Sequence, residues 1–130
     1  MIRWVRTLSA LLLVLLSAPS CEDPPVAPAI CSDEYVYGLE IIVVDAGTGG
    51  PAALGAIAVV SDGDYIENAL CEDRGPLGVA ALAAGERAGT YDITIDAEGY
   101  LEWSRDNVRV TEDRCHVKTV RIIAELEAEP

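Results

Sequence analysis

From Tyr91 to Ala97 apolar and polar side chains alternate without a break: Tyr91, Ile93, Ile95 and Ala97 against Asp92, Thr94 and Asp96. Successive side chains take opposite sides only in a strand, so this period of two commits the stretch to a sheet with one dry and one wet face. Such a sheet needs a second layer against its dry face. The rest of the chain offers further short runs of the same kind. Tyr35 to Asp45 is apolar and β-branched and ends in Ala46-Gly47-Thr48-Gly49-Gly50-Pro51, whose glycines and proline mark a turn. Ala56 to Ser61 and Tyr65 to Leu70 flank Asp62-Gly63-Asp64, the signal of a tight hairpin. Tyr100 to Trp103, Asn107 to Thr111 and a long final run from Cys115 to Leu126 follow, and in the last Val120, Ile122, Ala124 and Leu126 share a face. Arg74 to Ala88 is rich in glycine and alanine and shows no clear period. It reads as a long connection between sheets, with Val79 to Ala84 fit for one helical turn. Some seven short strands and no convincing interior helix predict an all-β sandwich.

The first twenty-one residues read as an export signal. Arg3 and Arg6 precede an apolar run from Leu8 to Leu16, and Ser17-Ala18-Pro19-Ser20-Cys21 closes it with small side chains. The run is too short for a bilayer, which needs about 20 apolar residues. A cysteine at the cleavage point makes Cys21 the expected lipid-attachment residue, although Ala18 and Ser20 also suit ordinary signal peptidase. Either enzyme cuts before Cys21. The expected organisation is a leader over 1–20, a lipidated cysteine and Pro-rich tether over 21–34, and one domain over 35–127. The tether carries Pro24, Pro25 and Pro28, which remove backbone donors and favour extended chain. The expected location is the bacterial cell envelope, outside the cytoplasm, with the membrane engaged through the N-terminal lipid.

Charge excludes some partners. The chain has 22 acidic and nine basic residues for a net charge of −13, and loss of Arg3 and Arg6 with the leader makes it more negative. Such a field repels nucleic acid and anionic headgroups. Its first consequence is a well-solvated surface.

The order Val44-Asp45-Ala46-Gly47-Thr48-Gly49-Gly50-Pro51-Ala52, then Ser61-Asp62-Gly63-Asp64-Tyr65, then Gly89-Thr90-Tyr91-Asp92-Ile93-Thr94-Ile95 and Gly99-Tyr100, resembles carboxypeptidase regulatory-like domains. The likeness runs from about Gly38 to Leu126. The ending Cys115-His116-Val117-Lys118-Thr119-Val120 resembles that of small stand-alone bacterial members. The resemblance implies a seven-stranded transthyretin-like (prealbumin-like) sandwich that acts as an accessory or stabilising module rather than as an enzyme. One fold hosts many roles, so the implication is firmer for fold than for activity. It also places the first and last strands side by side and running the same way. Cys31 and Cys115 each precede a long strand, so the resemblance implies a Cys31–Cys115 disulfide. Cys71 is then a small buried hydrophobe or a thiol free to react.

The residues themselves offer little catalysis. Hydrolases and dioxygenases on related folds need several histidines, or tyrosine with histidine, around one pocket, and His116 is the single histidine here. A relay from His116 to Asp113 is conceivable, but a lone histidine at the start of a strand is more often a packed or surface residue. Cys115 and His116, adjacent on a strand, would face opposite ways and so could not share one dyad or metal site. Asp45, Asp62, Asp64, Glu112 and Asp113 offer oxygen ligands, yet the Asp62-Gly63-Asp64 spacing fits a turn better than a calcium loop. Tyr91, Tyr100 and Trp103 are expected as packing anchors in a chain without phenylalanine. No cofactor and no metal site are expected. The sequence therefore suggests a non-enzymatic envelope lipoprotein giving structural support or weak protein or carbohydrate recognition. The alternative is a small secreted enzyme or inhibitor.

Overall fold

A computed structural model describes residues 30–130. The expected leader, Cys21 and the start of the expected tether lie outside the described residues. Eight strands follow in order: β1 Tyr37–Asp45, β2 Ile57–Asp62, β3 Tyr65–Leu70, β4 Glu72–Asp73, β5 Val79–Gly85, β6 Gly89–Asp96, β7 Trp103–Val110 and β8 Val120–Leu126. They form two four-stranded sheets, ordered β4-β5-β1-β8 and β3-β2-β6-β7. The sheets face each other as a sandwich around one apolar core. β1 contributes Leu39, Ile41 and Val43, β8 adds Ile122, Ala124 and Leu126, and β2 and β6 answer with Ala58, Val60, Tyr91, Ile93 and Ile95. Each of these four strands gives every second residue to this layer, as the alternation in β6 requires.

Local chemistry sets the connections. The β2–β3 hairpin closes on the pair Asp62 and Tyr65, and Gly63, the first of its two turn residues, sits at φ 58°. That left-handed angle strains a side chain and suits glycine. After β1, Asp45 Oδ1 accepts the amides of Gly47 and Thr48, which folds the chain back so that Val44 bridges Pro51. These bonds, with the Tyr100 hydroxyl on Oδ2, hold the Asp45 carboxyl below its ordinary range. β1 and β8 run parallel in register from Leu39 opposite Val120 to Asp45 opposite Leu126. Arg121 and Glu40 stand opposite each other there and form an ion pair.

Three sequence expectations are corrected. Val79 to Ala84 is a strand and not a connection or helical turn. β5 lies inside its sheet between β4 and β1, and Val79, Ala80, Ala81, Ala83 and Ala84 are all buried. With both faces covered there is no alternation to read. Second, Trp103 to Val110 is one continuous strand, whereas Tyr100 makes only an isolated bridge to Ala128. A bulge against β6 between Tyr91 and Ile93 disturbs its period, with Asn107 left-handed at φ 57° and its amide bonded to Asp92 Oδ1. Third, the last strand begins at Val120, because Cys115 to Thr119 belongs to a loop.

Candidate functional site

The site is built where the N-terminal segment meets the sandwich. Cys31 and Cys115 are joined by a disulfide with their Cα atoms 5.2 Å apart. Cys115 sits in the loop between β7 and β8, whose shape is set by Asp113. One oxygen of that carboxylate accepts the amides of Cys115 at 2.8 Å and His116 at 3.0 Å, and the Asp113 amide donates to the His116 carbonyl. Such a turn, with an aspartate bonded to amides two and three residues on, replaces the strand expected here. The same two bonds hold the Asp113 carboxyl below its ordinary range.

His116 then reaches in two directions. Its Nδ1 lies 2.8 Å from Glu86 Oε1 and its Nε2 lies 3.1 Å from the Ser32 hydroxyl. Glu86, in the short β5–β6 turn at φ 48°, also accepts the Val36 amide at 2.8 Å, while its own amide donates to the Val36 carbonyl. The Val36 amide is the main cause of a lowered Glu86 carboxyl, and the Glu86 carboxylate in turn raises His116 above its ordinary value. The His116 and Glu86 side chains are 21% and 30% exposed, so that pair is partly sheltered from water, whereas Ser32 is exposed.

Asp113 thus serves the backbone of His116 while the ring turns to Glu86, so the acid beside the imidazole is Glu86 and not Asp113. The argument that Cys115 and His116 face opposite sides of a strand also falls, since neither is on one. Ser32–His116–Glu86 has the connectivity of a nucleophile, a base and an orienting acid. Sequence reasoning missed it because the three residues are widely separated and form no motif. One signal was present: pairing Cys31 with Cys115 places their immediate successors, Ser32 and His116, beside each other.

A second polar cluster closes the same end of the sandwich. Arg87 Nη1 donates to Asp62 Oδ2 and to the Tyr91 hydroxyl, both at 2.9 Å, and that hydroxyl donates back to the Arg87 carbonyl at 2.7 Å. The guanidinium lies 4.0 Å above the Tyr65 ring. Tyr65 donates to Glu67, whose carboxylate also accepts the Ala84 amide from the facing sheet. Burial first and the Glu67 hydrogen bond second push the Tyr65 hydroxyl up to about 12.

Other residues singled out by sequence stay apart. Cys71 is fully buried with a free thiol, and that burial raises its pKa. Tyr91 is fully buried, whereas Tyr100 and Trp103 pack at the core margin. Among the described residues no group of three or more His, Cys, Asp or Glu side chains is disposed to hold a metal ion. No known family model matches this chain, and no curated protein matches it in sequence.

Proposed function

We propose that the chain is a lipid-anchored protein of the bacterial envelope whose sandwich, of the carboxypeptidase regulatory-like, transthyretin-like type, is a non-enzymatic accessory module. It gives structural support or recognises a protein or carbohydrate weakly, and its acidic field keeps nucleic acid away. The observation that carries this reading is where the polar groups spend their bonds. Cys31–Cys115, Glu86 on Val36 and His116 on Ser32 all fasten the incoming N-terminal segment to the fold. That suits a domain held from its N-terminus. The parallel pairing of the first and last strands supports the likeness to the family.

Lipidation of Cys21 supplies the test. Cells producing the wild type should hold it in the membrane fraction with the mass of acyl chains on Cys21, and Cys21→Ser should move it to the soluble fraction. An unmodified Cys21 in the intact mass of the native protein would leave simple secretion and remove the anchor.

The alternative, a small secreted hydrolase, is favoured by one observation, the Ser32–His116–Glu86 chain. On the accessory reading Ser32 is held but not used, so a fluorophosphonate probe should leave it unlabelled. Labelling of Ser32 that disappears in His116→Ala would establish an activated serine and overturn the non-enzymatic reading.

A further inference from the structure

The segment Cys31 to Val36 joins neither sheet, so its position depends on what grips it from outside. Cys31 is fixed covalently to Cys115, and Tyr35 rests on Gly85, where a Cβ would collide with its hydroxyl. The other side-chain bonds close a circuit. The Ser32 hydroxyl lies on His116 Nε2, His116 Nδ1 lies on Glu86 Oε1, and the same Oε1 accepts the Val36 amide. One histidine–carboxylate pair therefore fastens the segment both at Ser32 and at Val36. Beside it, the Glu86 amide holds the Val36 carbonyl whatever the charge on the side chains.

The ring serves both neighbours in either protonation state, but not equally. An imidazolium donates from both nitrogens, to Glu86 and to Ser32. A neutral ring keeps its proton on Nδ1 for the carboxylate, so Nε2 becomes an acceptor and the Ser32 hydroxyl must turn to donate. Both bonds then persist without the charge that strengthened them. Glu86, from the β5–β6 turn, is the carboxylate bonded to the ring, while Arg87 beside it turns to Asp62. Asp113, in the ring's own loop, bonds the amides of Cys115 and His116 and adds a weaker attraction, and Lys118 acts on Asp113 in turn. Glu112 and Arg114 of that loop, and Asp33 and Glu34 of the segment, are exposed.

We infer that this circuit is a proton-operated clasp: the His116 imidazolium, held between Glu86 and Ser32, fastens the incoming segment, and loss of its proton slackens the segment while the disulfide stays closed. Glu86 raises His116 above its ordinary value, so the grip is complete below about pH 6.5 and is lost as pH climbs through the raised value. Glu86 is itself held low, chiefly by the Val36 amide, so its contribution persists until pH falls through that lowered value. The clasp is tight in mild acid and slack in mild alkali. On the envelope reading, which this deepens, the segment links anchor to domain, and acidity outside the cytoplasm sets how stiffly the domain is held. The experiment involves neither Cys21 nor labelling of Ser32, so the two readings can fail separately.

His116 is the single histidine of the chain, so its ring protons report one titration by NMR. In purified wild-type protein the midpoint should lie above the ordinary histidine value, and Glu86→Gln should return it there. Protection of the Val36 amide, corrected for intrinsic exchange, should fall by about threefold between about pH 6 and about pH 8.5, the size expected of a partly exposed ion pair. The fall should follow the histidine titration. Cys71, pushed up by burial, titrates above that interval. In His116→Gln the protection should be low and level throughout. Glu86→Gln, which keeps an oxygen for Val36, should give the same level profile and serves in its place if His116→Gln loses its circular dichroism spectrum. A midpoint at the ordinary value, protection that ignores the titration, or the same fall in a folded variant would each overturn the proposal.

Discussion

Cys31→Ser and Cys115→Ser should each lower the unfolding free energy by about 4 kcal/mol, and by nearly the same amount. The bridge closes a separation of 84 residues, and for a loop of that length the chain-entropy account gives about 4.5 kcal/mol as its full value. Either substitution opens the same loop. Against the 5–15 kcal/mol typical of whole domains, roughly a third or more of the stability is at stake. The loss also loosens Ser32 and His116, since their neighbours are no longer joined, although Glu86 still grips Val36. Cys71→Ala should cost less, about 1 kcal/mol, because it removes one buried sulfur and opens no loop. Urea unfolding of the three variants checks this ranking. A Cys71 variant as weak as the other two would mean that packing around Cys71 matters as much as the cross-link, and recovery of a Cys71–Cys115 peptide under non-reducing conditions would contradict the connectivity outright.

The parts of the fold legible in the sequence were those where one face of a strand is wet. β6 announced itself by strict alternation, and the β2–β3 hairpin by Asp-Gly at its turn, because solvent and turn geometry leave marks on residue type. β5 left none. Its run Val-Ala-Ala-Leu-Ala-Ala-Gly is buried on both sides, and alanine by itself favours helix over strand, so only the neighbours β4 and β1 decide its state. β7 was obscured differently. Five of its first residues are exposed or half-exposed and the bulge at Asn107 shifts the register, so its polar sequence reads as two fragments. The Ser32–His116–Glu86 chain is a tertiary product. Its members come from the N-terminal segment, the β7–β8 loop and the β5–β6 turn, and it forms because the disulfide and the parallel β1–β8 pair bring those pieces to one end. Local pattern cannot carry that information.

Tyr91 separates the two kinds of bond that hold that end of the sandwich, and its substitutions should have graded effects. The ring is fully buried against the core and meets Tyr65 edge-on at 6.2 Å, while the hydroxyl both accepts from Arg87 Nη1 and donates to the Arg87 carbonyl. Tyr91→Ala should cost about 3–5 kcal/mol, as truncation of a buried aromatic leaves a cavity that close packing fills only in part. Tyr91→Phe keeps the ring and strands the Arg87 carbonyl, which should cost about 1–2 kcal/mol. The guanidinium retains Asp62 and the face of Tyr65, so the loss stops there. Urea midpoints of the two variants, read with unchanged slopes, distinguish the contributions. If Tyr91→Phe proves as damaging as Tyr91→Ala, the hydrogen bonds through Arg87 outweigh the buried ring, and Arg87→Met should then match both. If Tyr91→Phe is neutral, the carbonyl has found water, and the aromatic packing alone secures this corner.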